Sequence, residues 1–293
     1  MHFRRFSILA LLIGLLALSN MALAEKKTQV FLLAGQSNMD GRGNGSALSE
    51  QDKERLEKAG ERIQFYYNGA DARPLGVTIP AKHTAKKFNL TKVFGPELFF
   101  GIELAEAYPD TKFIFIKRSL GGTSLYGCWN PNWTVEKATL MGEEARPKLF
   151  TEFTNDYRKV LKGMPEESYE LKGMLWVQGE SDSGVKKRGP KPADSYGANL
   201  KALIKQVRQD TGVPELPFMM LQVGSGKVVE GMKATANDLP KVAFIPQSKD
   251  RKAPNFLPTY GPPIGHYTEV GMKKIGEMFA KTYLSEFAGA EEK

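Results

Sequence analysis

The chain of 293 residues has one cysteine, Cys128, and only three histidines, His2, His83 and His266. A single thiol excludes an internal disulfide framework, so the fold must rest on packing. It also argues against a lipid-anchored lipoprotein, whose cleavage site needs a cysteine close behind the leader. No internal repeat occurs, and no Pro-, Gly- or Ser-rich stretch is long enough to act as a linker. Long apolar runs are missing after residue 18, which leaves no membrane span in the body of the chain. An excess of basic over acidic residues gives a formal charge of +8, two units of it from Arg4 and Arg5. The excess is too diffuse for a nucleic-acid surface, and the local clusters Lys186-Lys187-Arg188 with Lys191 and Lys249 with Arg251-Lys252 read as solvated loops, with attraction to an acidic polymer as the alternative.

The N-terminus stands apart. His2, Arg4 and Arg5 precede an apolar stretch over residues 6–18, closed by Ala22-Leu23-Ala24, which is the pattern of a secretory signal peptide over residues 1–24. An uncleaved N-terminal anchor is the alternative. The expectation is an exported protein, periplasmic or secreted, with residues 25–293 forming one domain large enough for a well-buried core.

Within that domain, apolar runs alternate with helix-like segments, the pattern of a mostly parallel sheet covered on both faces, an α/β class. Strands are expected over residues 29–34, 62–67, 112–117, 173–177, 217–223 and 242–245, and helices over 96–107, 144–162, 195–210 and 268–287. In the last helix Val270, Ile275, Met278, Phe279, Tyr283 and Phe287 form an apolar stripe. Polar, glycine-containing loops follow three of the strands: Gly35-Gln36-Ser37-Asn38-Met39, Ser119-Leu120-Gly121-Gly122-Thr123-Ser124 and Gln178-Gly179-Glu180-Ser181-Asp182. Parallel strands end at one edge, so the three loops are expected to converge there, where open α/β sheets bind ligands.

Convergence would give the loops chemistry. Ser37 is a nucleophile only if a base takes its proton, and histidine has the pKa for that. His83 lies in the basic, irregular stretch over residues 81–87, whereas His266 directly precedes the last helix, which can brace it; His266 is the candidate base. Donors for a tetrahedral oxyanion are the Ser37 amide, Gly121, Gly122 and the Gln178 side chain. Taken alone, Gly121-Gly122 is more often just a tight turn, and its weight comes from its position after a strand. The base should be oriented by a further group, with Glu180 and Asp182 as candidates and Asp250 and Glu269 as poorer ones. Gln36, Asn38 and Asp182 are candidate substrate contacts.

These ordered motifs, with His266 near the C-terminus and Phe94-Gly95-Pro96-Glu97 before a helix, resemble the sialate O-acetylesterase and acetylxylan esterase family (carbohydrate esterase family 6-like) of the SGNH-hydrolase superfamily. The resemblance implies a flavodoxin-like three-layer α/β/α sandwich and removal of acetyl groups from carbohydrate with no metal or organic cofactor. It implies Ser37 as nucleophile, His266 as base, Glu180 as the acid partner, and Gln178 with a glycine of the pair as oxyanion donors. Two positions depart from the pattern. Pro263 stands where many SGNH enzymes have Asp three residues before the histidine, and Val177 where many members have His or Tyr.

Trp129 and Trp133 follow the glycine pair closely and would suit sugar faces if exposed, or anchor a long loop if buried. The function expected is an exported serine esterase acting on acetylated carbohydrate, with other acyl esters, or a decayed glycan-binding protein, as alternatives.

Overall fold

The computed structural model describes residues 26–261 and 265–289; the expected leader over residues 1–24 and Pro263 lie outside the described residues. In chain order the elements are β1 (Thr28–Gly35), α1 (Ser37–Asp40), β2 (Gly43–Asn44), α2 (Glu50–Gly60), β3 (Ile63–Tyr67), β4 (Arg73–Pro74), α3 (Lys82–Phe88), β5 (Val93–Phe94), α4 (Pro96–Ala107) and β6 (Phe113–Ser119). They continue with α5 (Val135–Met141), α6 (Leu149–Lys162), β7 (Tyr169–Val177), α7 (Val185–Arg188), α8 (Lys191–Asp194), α9 (Tyr196–Thr211), β8 (Phe218–Leu221), α10 (Lys227–Asp238), β9 (Val242–Ile245) and α11 (Glu269–Glu286).

Seven strands form one sheet in the order β4-β3-β6-β1-β7-β8-β9, parallel except for the short edge strand β4. The central strand β1 is buried from Gln29 to Gly35, which is why it reads as an unbroken apolar run rather than an alternating one. Its two faces are packed by different helices. Phe31 meets Phe100 of α4 and Tyr283 of α11 edge-on, at centroid distances of 5.0 and 4.9 Å. On the opposite face Trp176 of β7 meets Trp129 at 5.3 Å, Trp129 meets Phe153 of α6 at 6.0 Å, and the Trp176 indole donates to the Tyr196 hydroxyl of α9 at 3.3 Å. Edge-on aromatic pairs of this kind each contribute about 0.5–1.5 kcal/mol beyond area burial. The result is the expected layered α/β arrangement.

The expected elements are present, with shifted ends. The helix foreseen from residue 144 begins at Leu149, because Pro147 disfavours helical backbone at Arg146. Helices α2, α5 and α10 were not foreseen. The caps of two of them are visible in the sequence, since Ser49 and Thr134 accept hydrogen bonds from the backbone N–H of Asp52 and Lys137. The basic stretch around His83, read as irregular, is helix α3.

Register carries the fold into function. Gly35 at the end of β1 pairs with Ser119 of β6 on one side and with Val177 of β7 on the other. The three strands therefore end level, and the segments after them meet. Gly35 is required there: a side chain at that position would place its first carbon 2.1 Å from the Val177 carbonyl oxygen, inside any tolerable contact.

Candidate active site

Directly after Gly35 the chain turns into the single turn α1, with Ser37 as its first residue. The turn is anchored from below. Buried Lys117 of β6 donates to Glu97 of α4 at 2.7 Å and to the Asp40 carbonyl at 3.1 Å. The Asp40 carboxylate gathers the Tyr67 hydroxyl, the Ser119 hydroxyl at 3.1 Å and Arg42 at 2.5 Å. A paired buried charge is rigid because separating it is costly, so this base fixes where Ser37 points.

Ser37 Oγ lies 2.9 Å from His266 Nε2. His266 is positioned by the chain on both of its sides. Its carbonyl accepts from the Tyr260 N–H at 2.8 Å, and two residues later Thr268 caps α11, its hydroxyl accepting from the Gly271 N–H at 3.4 Å. Phe88 of α3 stands edge-on to the imidazole at 5.2 Å. The pair opens on a cleft of about 440 Å³ lined also by Gln36, Asn38, Arg42, His83, Lys87, Gly121, Gly122 and Glu180.

Glu180 enters from the loop after β7. Its Oε1 accepts from Asn38 Nδ2 at 2.6 Å, while Oε2 is enclosed and has no hydrogen-bond partner among the described residues. Burial raises its pKa above the ordinary carboxylate value, against the hydrogen bonds that lower it. Among the described residues that line the cleft, Glu180 is the one carboxylate. Asp250 and Glu269, the poorer sequence candidates, are not part of its lining.

Several expected contacts fall elsewhere. Gln178 is fully buried, and its amide nitrogen is already engaged by Asp182 at 2.6 Å, by the Thr123 carbonyl at 3.1 Å and by Gln36 Oε1 at 3.3 Å. It ties the three loops together behind the cleft rather than offering a donor within it. Asp182 is likewise no substrate contact: it is 2% exposed, and its oxygens accept from the Leu125 and Tyr126 N–H groups, both at 2.9 Å, as well as from Gln178. Trp129 is fully buried with its indole N–H on Thr123 Oγ1 at 3.1 Å, and Trp133, half-buried under Lys148, does not line the cleft. Gln36 and Asn38 do line it, although the Gln36 side-chain Oε1 accepts from the Ser181 N–H at 3.3 Å.

Other lining residues were missed by sequence reading. Arg42 is 5% exposed, with its Nη2 beside Gly121, and Lys87 and His83 reach the cleft from α3. His83 bonds Thr84 at 3.2 Å and not Ser37. The only local signal was the basic run over residues 81–87, which does not say what it faces.

The Asp182 clamp carries a stability prediction. Asp182→Ala leaves two backbone N–H groups and one amide unsatisfied in the interior, so unfolding in urea at pH 5 is expected to show a loss of about 3 kcal/mol. Burial raises the Asp182 pKa from 3.8 to about 7. Between those values the folded protein binds more protons than the unfolded chain, so wild-type stability from this group falls as pH rises, and the deficit of the variant should narrow toward pH 7. A deficit that widens with pH would contradict this assignment.

Among the described residues no helix is long and apolar enough to cross a membrane, and no three His, Cys, Asp or Glu side chains gather as metal ligands.

A serine and a histidine bonded at the carboxyl edge of a doubly wound sheet, open to a cleft, place the protein among the α/β hydrolytic enzymes. The family described as carbohydrate esterase, sialic acid-specific acetylesterase, matches residues 27–285, and the chain belongs to this family. A probable carbohydrate esterase of Arabidopsis thaliana, At4g34215, is 31% identical over 126 residues, which is 40% of this chain and 42% of the relative. The matched segment thus spans under half of that relative's length. The crystal structure of the same Arabidopsis protein is similar with a TM-score of 0.65 at 21% identity, covering 90% of this chain and all of the other. NanS gives a TM-score of 0.57 at 14% identity over 88% of this chain and 97% of its own. XAC1771, a carbohydrate acetylesterase from Xanthomonas citri, gives 0.55 at 17% identity over 88% of this chain and 56% of its own. At these identities the three structures speak for the fold.

Proposed function

We propose that the protein is an exported serine esterase that removes O-acetyl groups from carbohydrate. The observation that carries this reading is the 2.9 Å hydrogen bond between Ser37 and His266 in a cleft walled by a glycine pair. Ser37 Oγ attacks the acyl carbon while His266 Nε2 accepts its proton. The oxygen of the tetrahedral intermediate is held by backbone N–H groups of Ser37 and of Gly121-Gly122; as the first residue of α1, Ser37 has no intrahelical partner for its own N–H. His266 then protonates the departing sugar oxygen. In the second half-reaction it deprotonates a water that releases acetate from the acyl-serine. Glu180 Oε2, unclaimed among the described residues, is the carboxylate oxygen available to orient and stabilise the imidazole.

Lys87 and Arg42, the latter also paired with Asp40, line the cleft with one carboxylate, and this balance favours acidic acetylated glycans over neutral ones. The leader over residues 1–24 fits a substrate met outside the cytoplasm. The test is acetate release from acetylated xylan, acetylated pectin and O-acetylated sialic acid, with aryl esters of increasing chain length alongside. We expect rates that fall steeply beyond acetyl and the fastest turnover on an acidic glycan. Release of longer acyl groups at equal rate would argue for a different ester class, and no release from any substrate would defeat the proposal.

A further inference from the structure

The glycine pair sits in a turn over residues 120–123 whose backbone can hold two orientations. Gly122 has φ +70°, as the third residue of a type II turn requires, and the Thr123 hydroxyl donates to the Leu120 carbonyl at 2.7 Å. Rotation of the central peptide by half a revolution converts such a turn into type I, and with two consecutive glycines no side chain obstructs it. The two orientations differ chemically. A trans peptide unit is planar, so the Gly121 C=O and the Gly122 N–H point in opposite directions, and one flip exchanges a donor for an acceptor.

Arg146 decides between them. Its Nη1 donates to the Gly121 carbonyl at 3.1 Å and to the Gly122 carbonyl at 3.1 Å. Arg146 is exposed and does not line the cleft, so it draws both carbonyls outward and leaves the N–H groups of the same peptide units, those of Gly122 and Thr123, turned the other way. Its own position is tied to the loop it holds. The Arg146 N–H donates to the Glu143 carbonyl at 2.9 Å, and the buried Glu143 carboxylate accepts from the N–H groups of Ser124 at 2.8 Å and Cys128 at 2.9 Å. The late start of α6 behind Pro147 keeps Arg146 out of a helix and free to reach the turn.

We infer that Arg146 is a positioning residue of the oxyanion hole, holding the peptide unit between Gly121 and Gly122 with the Gly122 N–H toward the cleft. The inference rests on the acyl-serine reading above. It is tested in the full chain by comparing wild type, Arg146→Ala and Arg146→Lys for 4-nitrophenyl acetate hydrolysis and for inhibition by an arylboronic acid, which forms a tetrahedral adduct on a reactive serine. Arg146→Ala should lower kcat about 10-fold with KM changed less than twofold, and weaken the boronate by a similar factor; removal of an oxyanion donor outright costs about 10²–10³. Arg146→Lys should recover part of both. Unchanged kcat, a change in KM alone, or a kcat loss without weakened boronate would overturn it. If the boronate fails to inhibit wild type and Ser37→Ala remains active, the acyl-serine reading itself has failed, and the role of Arg146 falls with it.

Discussion

Ser37→Ala is expected to lower kcat/KM for an aryl acetate by about 10⁴-fold or more while leaving the melting temperature within a few degrees of wild type. The serine is 7% exposed, and its hydroxyl is hydrogen-bonded to His266 at the cleft floor, so removing one oxygen opens little space and disturbs no other bond known for that atom. The chemistry has no substitute. Gln36 and Asn38 flank the position but carry no nucleophile; Thr84, the other hydroxyl residue of the cleft lining, is buried and bonded to His83, and Thr123 and Ser124 are fully buried and bonded to Leu120 and Glu143. His266→Ala should lose a similar amount, and the double variant little more than either alone, because nucleophile and base act as one unit. His83→Ala should cost less than about tenfold, since its ring hangs on Thr84. Steady-state kinetics of the four variants would decide it. Additive losses for Ser37 and His266, or activity above about one hundredth in Ser37→Ala, would contradict a shared mechanism.

The part of this site that could be read from sequence was the part whose chemistry leaves few options. Ser37 follows an apolar run and precedes a Gly-rich turn, and with His2 in the expected leader only two histidines were left to serve it. The strands were visible because a sheet covered on both faces needs continuous apolar runs. Register was not visible, and it is register, Gly35 level with Ser119 and Val177, that makes the three loops one site. Gln178 and Asp182 show the same limit. An amide and a carboxylate at a strand end suit either the bound substrate or the neighbouring loop, and only burial among Thr123, Leu125 and Tyr126 assigns them to the loop. Trp129 was open between a sugar platform and an anchor, and packing against Trp176 and Phe153 makes it an anchor. Arg42 and Lys87 were passed over because charged side chains are usually solvated, and what brings them to the cleft is the packing of α3 against the loop of His266 through Phe88.

Glu180→Gln should separate activity from stability in opposite directions. For activity, the change removes the one cleft carboxylate able to stabilise the imidazolium that forms as Ser37 attacks, so kcat should fall about 10²-fold or more with KM little changed. The glutamine keeps the shape and an oxygen that can accept from Asn38, which confines the loss to charge. For stability, the sign follows from burial. The folded pKa of Glu180 lies above its ordinary value of 4.5, so from that pH upward through the folded pKa the native state holds a proton that the unfolded chain releases, and wild-type stability declines across the window. The glutamine does not titrate. Above the window the variant should therefore be more stable than wild type, with the gap closing at pH 4. Urea unfolding at pH 4 and pH 8, read beside kcat on the same samples, measures both effects. A variant that is less stable at pH 8 would mean that the Glu180 carboxylate is held ionised by a partner, and one that keeps full kcat would remove Glu180 from the mechanism and leave His266 to act without a carboxylate.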